Sequence, residues 1–231
     1  MREETGLGWI KSIKMKSILF LAIAVLLGVN VWAEEGSKEF KKSFPAASFN
    51  ELTVTNRYGN IDVRQEGDEF AITASVWVEA KVDEILEYIS ITAKEQGGVL
   101  NVETLFRKDM SLRQMFAGVT VSIDYHIKVP RGKKVRLVST DGGVSTSDFT
   151  GDLSVEIVSG NFKANSVTGG EFSVKQNKGE FEVEKVEKMN AEFKSCKAKI
   201  GEGTDMKLDC TSTTLQLMEA DKLPGGLVTW V

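Results

Sequence analysis

The sequence predicts an all-β protein with one short helix, built as a parallel β-solenoid of two-strand coils with a β-rich N-terminal cap. Three observations support this prediction. Units of 17 to 19 residues repeat from Val135 onward. Apolar residues alternate within each unit, which is the period of a strand with one buried face. Glycine recurs between the two strands of a unit, where a tight turn is needed.

Composition excludes several classes of protein. The 231 residues suffice for one domain with a core of its own, and the net charge of −4 argues against a broad nucleic-acid footprint. One histidine and two cysteines cannot supply the usual zinc ligands. The sequence therefore predicts no metal site, and it contains no recognisable cofactor motif or catalytic set.

The first 33 residues have the pattern of a secretory signal peptide. Lys11, Lys14 and Lys16 precede an apolar run that ends in small residues at Val31 and Ala33. We expect cleavage after Ala33; the alternative is an uncleaved membrane anchor. Loss of four basic and two acidic residues would leave 25 basic and 31 acidic ones, a net charge of −6.

The translated chain is expected to begin at Met15, because Glu3 and Glu4 are unusual ahead of a signal peptide. Residues 34–47 are predicted to be a flexible N-terminus. Residues 48–231 are predicted to form a single domain, since no proline- or serine-rich linker divides them.

Residues 48–130 form the less regular part of the predicted domain. The spacing of Val82, Ile85, Leu86 and Ile89 predicts a helix near 81–89. Residues 104–117 look like a polar insertion. This part is expected to cap the open edge of the solenoid. Strands are predicted at 52–54, 61–63, 70–78, 90–93, 99–102 and 119–129.

Residues 131–231 carry the regular repeats. Each unit has a first apolar strand and, nine residues after its start, a second one, so that stacked units can share a core. The units start at Val135, Leu153, Phe172, Met189 and Met206, and the second strands start at Val144, Phe162, Phe181, Ala198 and Leu215. Glycine precedes the second strand at Gly142, Gly160 and Gly179.

Charges provide an independent test of this alignment. Residues at the same position of stacked parallel coils lie about 4.8 Å apart, so opposite charges there are favourable. The alignment predicts three charge ladders: Glu156–Lys175–Glu192, Lys163–Glu182–Lys199 and Glu180–Lys197.

The acidic run Glu180, Glu182, Glu184 and Glu187 is the strongest candidate for chemistry. Two carboxylates in a groove could act as the acid and base of a polysaccharide-cleaving β-helix enzyme. Their predicted pairing with lysines instead favours a solvated charge ladder.

Other candidate residues carry weaker arguments. His126 is predicted to be a surface or interface residue, on the same face as Asp124. Thr140–Asp148 resembles a calcium-binding nonapeptide, but Asp141 and Asp148 are better interpreted as turn residues.

Cys196 and Cys210 form an even pair in an exported chain, which suggests a disulfide. The alignment places Cys210 inward and Cys196 at a turn, farther apart than a disulfide allows. Both alternatives stay open, as do two interpretations of Leu227–Val231: a last strand, or a pairing edge for a partner.

The pattern of 48–223 resembles the bacterial exported putative-adhesin family of β-strand repeats, similar to head domains of autotransporter adhesins. The residues that carry the resemblance are 49–63, 127–144 and the turns Ser159–Phe162 and Lys178–Phe181. The resemblance implies a β-solenoid fold, an envelope location and no catalytic residues.

Three functions are compatible with these observations. The leading hypothesis is a non-enzymatic exported protein of the cell envelope, periplasmic or on the cell surface, that binds a glycan or an envelope protein. The alternatives are a periplasmic accessory of envelope-stress signalling and a polysaccharide-active β-helix enzyme. We expect no nucleic-acid partner, and membrane contact only through an uncleaved signal segment.

Overall fold

The structure is a computed structural model that describes residues 33–34, 36–78, 83–107, 119–220 and 229–230. The predicted start at Met15 and nearly all of the predicted signal peptide lie outside the described residues. So do most of the predicted polar insertion and most of Leu227–Val231.

Nearly all of the described chain is β-structure, with one short helix, as predicted. No helix in the described ranges has the length and apolar character needed to span a bilayer. The N-terminal elements are β1 (Ala33–Glu34), β2 (Ser37–Pro45), β3 (Glu51–Tyr58), β4 (Ile61–Gln65), β5 (Glu69–Val78), α1 (Asp83–Glu87), β6 (Ile89–Gln96), β7 (Val99–Phe106) and β8 (Val121–Val129). The C-terminal elements are β9 (Lys134–Asp141), β10 (Val144–Thr150), β11 (Leu153–Ser159), β12 (Phe162–Thr168), β13 (Phe172–Gln176), β14 (Gly179–Lys194), β15 (Cys196–Thr211), β16 (Thr214–Ala220) and β17 (Thr229–Trp230).

Parallel strands form two rows around the core. In the first row β3, β9, β11 and β13 pair in succession, followed by the second halves of β14 and β15. In the second row β8, β4, β10 and β12 are followed by the first halves of β14 and β15. The predicted register is confirmed, because Val135 pairs with Leu153, Leu153 with Phe172, and Phe172 with Met189.

The predicted solenoid of uniform parallel coils is wrong as a description of the whole sheet. The two rows belong to one sheet, which is nearly closed and barrel-like. In the described N-terminal part, β1–β2, β2–β5, β5–β8 and β6–β7 are antiparallel. In addition, β14 and β15 are unbroken strands of 16 residues that pass from one row to the other.

The unbroken strands have a cause in the sequence. Gly151 separates β10 from β11, and Gly169 and Gly170 separate β12 from β13. In β14 only Glu187 and Lys188 lie between Val186 and Met189, whereas four residues, including both glycines, lie between their partners Val167 and Phe172. β15 has the same shorter form, with Thr204 and Asp205 at this place. The chain therefore continues as a single strand through this corner.

Two N-terminal predictions are corrected. The segment 34–47 was expected to be flexible, yet β2 pairs with β5 over residues 37–45. Phe40 and Phe44 of β2 pack against the core and provide the reason for this order. Residues 104–106, assigned by sequence to the polar insertion, complete strand β7. The predicted helix near 81–89 is found in shortened form as α1, with Ile85 and Leu86 buried.

A single apolar cluster extends along the molecule from Phe49 to Cys210. Its C-terminal part contains stacked phenylalanines contributed by successive coils. The ring centroids of Phe162 and Phe181 are 5.0 Å apart, and those of Phe181 and Phe193 are 4.8 Å apart. Large aromatic side chains thus fill the narrow space between the rows.

Glycines stack at the corner that leads from the first row to the second. A Cβ atom on Gly142 would collide with the carbonyl oxygen of Gly59, and one on Gly160 with that of Gly142. Gly179 has a φ of +112°, and a Cβ atom on it would collide with the carbonyl oxygen of Gly160. Only a residue without a side chain allows the backbones of adjacent coils to approach so closely here.

A charge in the aromatic core should disrupt the fold. Phe181 is 1% exposed and stacks on two other rings, so Phe181→Asp should lower the free energy of unfolding by at least about 4 kcal/mol. Lys163→Ala, on the outer side of the neighbouring coil, should change it by less than about 0.5 kcal/mol. Chemical denaturation measures both changes, and equal effects would contradict the assignment of inner and outer faces.

The glycine stack can be tested with a matched pair of substitutions. Gly132 also has a positive φ, +75°, but nothing lies within 4 Å of a Cβ built there. We expect Gly132→Ala to cost about 1 kcal/mol, from backbone strain alone. Gly179→Ala adds a collision with the backbone and should cost at least about 2 kcal/mol more. Similar losses for both variants would show that close approach of the coils is not what requires glycine.

Candidate functional site

The predicted charge ladders lie on the outer sides of the two rows. In the second row Glu182 bridges two lysines, with Oε2 3.6 Å from Lys163 Nζ and Oε1 2.9 Å from Lys199 Nζ. Glu180 lies 3.6 Å from Lys197. These contacts confirm the predicted Lys163–Glu182–Lys199 and Glu180–Lys197 ladders.

The ladder of the first row is confirmed in part. Lys175 Nζ lies 3.3 Å from Glu192 Oε2, as predicted. Glu156 pairs with Lys175 in the backbone register, but its carboxylate bonds to Arg136 Nη2 at 3.1 Å. The planar guanidinium of Arg136 provides directed donors for a carboxylate on the adjacent strand.

Glu182 is not poised as a general acid. The Lys199 ammonium, which donates a hydrogen bond to Glu182, holds the pKa of that carboxyl below its usual range, and Lys163 contributes further. A carboxyl that donates a proton near neutral pH needs a raised pKa instead. The acidic run therefore provides ion-pair partners on this face.

The other two residues of the acidic run are not brought together with this pair. Glu184 lies on the exposed bend of β14. Glu187 accepts a hydrogen bond of 2.8 Å from the backbone N–H of Gly169, at the turn between β12 and β13. Nearby, Asp152 accepts a hydrogen bond of 3.1 Å from the backbone N–H of Glu171. This hydrogen bond, and to a smaller extent the ammonium of Lys134, lowers the pKa of the Asp152 carboxyl. Both carboxylates thus hold turns in place.

His126 is a surface residue, as predicted, with a side chain that is 65% exposed. Its Nδ1 lies 3.7 Å from Asp62 Oδ2, and Ser145 Oγ donates to Asp62 Oδ1 at 3.0 Å. In this order the carboxylate stands between the hydroxyl and the imidazole. A nucleophilic serine needs the imidazole as its direct partner, so this cluster does not activate Ser145.

The aspartates of the nonapeptide-like segment lie in strands. Asp141 is the last residue of β9, and Asp148 lies within β10, where it accepts a hydrogen bond of 2.7 Å from Ser166 Oγ. The interpretation of Asp148 as a turn residue is therefore wrong. Within the described ranges, no group of three acidic, histidine or cysteine side chains is placed to hold a metal ion.

Cys196 and Cys210 are both buried and are free thiols in the structure. Cys210 points inward as predicted. Cys196 occupies the corner position aligned with Gly179, and its Sγ lies 3.2 Å from the carbonyl oxygens of Gln176 and Lys194. Burial raises the pKa of both thiols, which lowers their reactivity as nucleophiles.

The sequence analysis did not single out the outer face of β5. Along this strand Phe70, Ile72, Ala74, Val76 and Val78 face the core, so the alternate residues face outward. These outward residues are Ala71, Thr73, Ser75 and Trp77. Among the described side chains, Trp77 is the one phenylalanine, tyrosine or tryptophan that is exposed, at 48%.

Polar residues of the neighbouring strands flank this face. The register places Ser75 between Glu39 of β2 and Asp124 of β8, and Thr73 between Lys41 and His126. On either side of Trp77 the paired positions are Ser37 and Ser122. The strict alternation of 70–78 could have revealed that Trp77 points outward, but only the tertiary pairing identifies its neighbours.

One of these neighbours is held rigidly. Asp124 Oδ1 accepts hydrogen bonds from the backbone N–H of Asn60 at 2.8 Å and from Asn60 Nδ2 at 3.2 Å. Its Oδ2 accepts a bond of 2.9 Å from Ser122 Oγ. The carboxylate is therefore fixed in orientation while it remains on the outer face.

No family model and no curated protein matches the chain. Among solved structures, it is similar to a putative cell adhesion protein from Clostridium sporogenes, with 8% identity, 78% of this chain and 98% of that chain covered, and a TM-score of 0.43. A putative lipid binding protein from Parabacteroides distasonis is 12% identical, with 84% and 96% covered and a TM-score of 0.37. A putative adhesin from Bacteroides fragilis is 15% identical, with 79% and 95% covered and a TM-score of 0.36.

Proposed function

We propose that the chain is a non-enzymatic binding protein of the bacterial envelope, exported by its N-terminal segment. The observation that carries this proposal is that charged side chains on the outer faces pair with one another. On the outer faces of the two rows Glu156, Glu180, Glu182 and Glu192 pair with lysines or an arginine of adjacent strands, and Asp152 and Glu187 hold turns. Such a surface suits recognition of a partner better than acid–base chemistry.

The rigidity of the frame supports the same function. Side chains at one position of successive strands stand about 4.8 Å apart at a fixed orientation, because the backbone hydrogen bonds set that spacing. A partner with a regular repeat, such as a glycan, or an extended protein segment can contact several strands at once. Fold alone does not imply this function, so the argument depends on the faces themselves.

Export is tested by the N-terminus of the protein in cells. We expect the full chain, carrying a C-terminal tag, to be recovered from the envelope with Glu34 as its first residue, because cleavage follows Ala33. Ala33→Phe removes the small residue needed at the cleavage point and should leave the segment attached. Edman sequencing gives the result, and an uncleaved wild-type chain in the cytoplasm would refute the proposal.

Binding without turnover is the second expectation. The tagged chain should retain an isolated glycan or envelope-protein fraction and should release no reducing ends from polysaccharides. Because the Glu182 carboxylate is paired with Lys163 and Lys199, we do not expect it to contact the ligand, and Glu182→Gln should leave retention unchanged. Polysaccharide cleavage that disappears in Glu182→Gln would instead establish the enzyme alternative.

A further inference from the structure

We propose that the outer face of β5, around Trp77, is a binding site for an uncharged polysaccharide chain. This inference rests on the proposed function, since it names the ligand class and the face that a binding protein of this kind would use. It starts from the half-exposed indole of Trp77 and from the polar residues that the register places beside it.

Trp77 stands above a surface of small side chains. The other outward residues of β5 are Ala71, Thr73 and Ser75, and the positions directly beside Trp77 on β2 and β8 are both serines. Keeping an apolar ring 48% exposed costs free energy that a purely structural tryptophan would avoid by burial. A flat ring above a shallow surface can instead stack on a flat ligand.

Two polar ridges border this surface and give it a direction. Glu39 and Lys41 of β2 form one ridge, and Asp124 and His126 of β8 form the other. They lie on strands about 10 Å apart, twice the strand spacing, with β5 as the floor between them. The floor and its ridges run along the strands, which suits an extended chain more than a globular partner.

The chemistry of the face matches a sugar. A pyranose ring has an apolar face of C–H groups, which packs on an indole, and a rim of hydroxyls that need donors and acceptors. Ser75 and Thr73 can serve as both, and the oriented carboxylate of Asp124, which already accepts three hydrogen bonds, can accept one more from a sugar hydroxyl. A tryptophan with a polar rim is also the side chain most often found at the centre of binding sites.

The charges of the face select an uncharged ligand. Three cations on β2, β4 and β8 have carboxylate partners: Lys41 with Glu39 at 2.9 Å, Arg64 with Asp62 at 3.1 Å and Lys128 with Glu66 at 2.6 Å. The Asp124 carboxylate is held by neutral donors. An anionic polysaccharide would be repelled by the Asp124 carboxylate, and the cations named here already have carboxylate partners. Charge complementarity therefore favours a neutral polysaccharide.

The test uses the full chain and defined hexasaccharides. Cellohexaose, laminarihexaose, mannohexaose and maltohexaose are the uncharged probes, and hexagalacturonate is the anionic one, with affinities measured by isothermal titration calorimetry. We expect at least one uncharged probe to bind more tightly than hexagalacturonate. Trp77→Ala should then weaken its Kd about tenfold or more, because the stacking partner is lost.

Met218→Ala is the matched control, because Met218 is an apolar side chain that is 62% exposed on β16. β16 pairs with β15 at one end of the second row, and β5 pairs with β8 at the other end. It should leave the Kd unchanged. Ser75→Arg fills the floor without removing Trp77 and should also abolish binding. Both β5 variants should keep the wild-type unfolding midpoint, because the altered side chains lie outside the core.

Three results would overturn the site. They are binding that Trp77→Ala leaves intact, tighter binding of hexagalacturonate than of every uncharged probe, and no binding of any uncharged probe. None of them refutes the proposed function, which fails only if the chain is not exported, binds no glycan or envelope-protein fraction, or turns over polysaccharide.

Discussion

The close approach of successive coils at one corner is the constraint on which the rest of this structure depends. The stack begins at Gly59, and Gly142, Gly160 and Gly179 follow, each against the carbonyl of the stacked glycine before it. Their alignment sets the register of both rows, because the side chains of a strand change face if its pairing slips by one residue. With the register fixed, the phenylalanines meet in the core and the opposite charges meet outside.

This constraint explains how much the sequence could predict. Repeats of 17 to 19 residues with period-two alternation identified the parallel pairing of β9 to β15 and two complete charge ladders, since both follow from local spacing. The unbroken β14 and β15 were missed, because the two-strand pattern of the earlier coils was extended to them. β14 and β15 have two residues at this corner where the glycine-containing coils have three or four, and this shorter spacing was the available clue.

The antiparallel part was harder to predict for a physical reason. Alternation shows that a segment is a strand but not which strand it pairs with. The partners of β5 lie 24 to 40 positions before it, at Ser37–Pro45, and 43 to 57 positions after it, at Val121–Lys128. In β2 only Phe40 and Phe44 are large and apolar, so the alternation itself is faint. The face around Trp77 was invisible for the same reason, because its neighbours come from β2 and β8.

The two parts of the sheet therefore use their outer residues differently. In the parallel coils one position recurs on every strand, so like charges would repel along the whole row and alternating charges are favoured. Those side chains form ion pairs with one another, as Glu182 does with Lys163 and Lys199. The antiparallel strands β2, β5 and β8 follow no such repeat, and each position can differ from its neighbours. A tryptophan above small polar residues can be placed there without disturbing the ladders, which supports the proposed binding site at this end of the sheet.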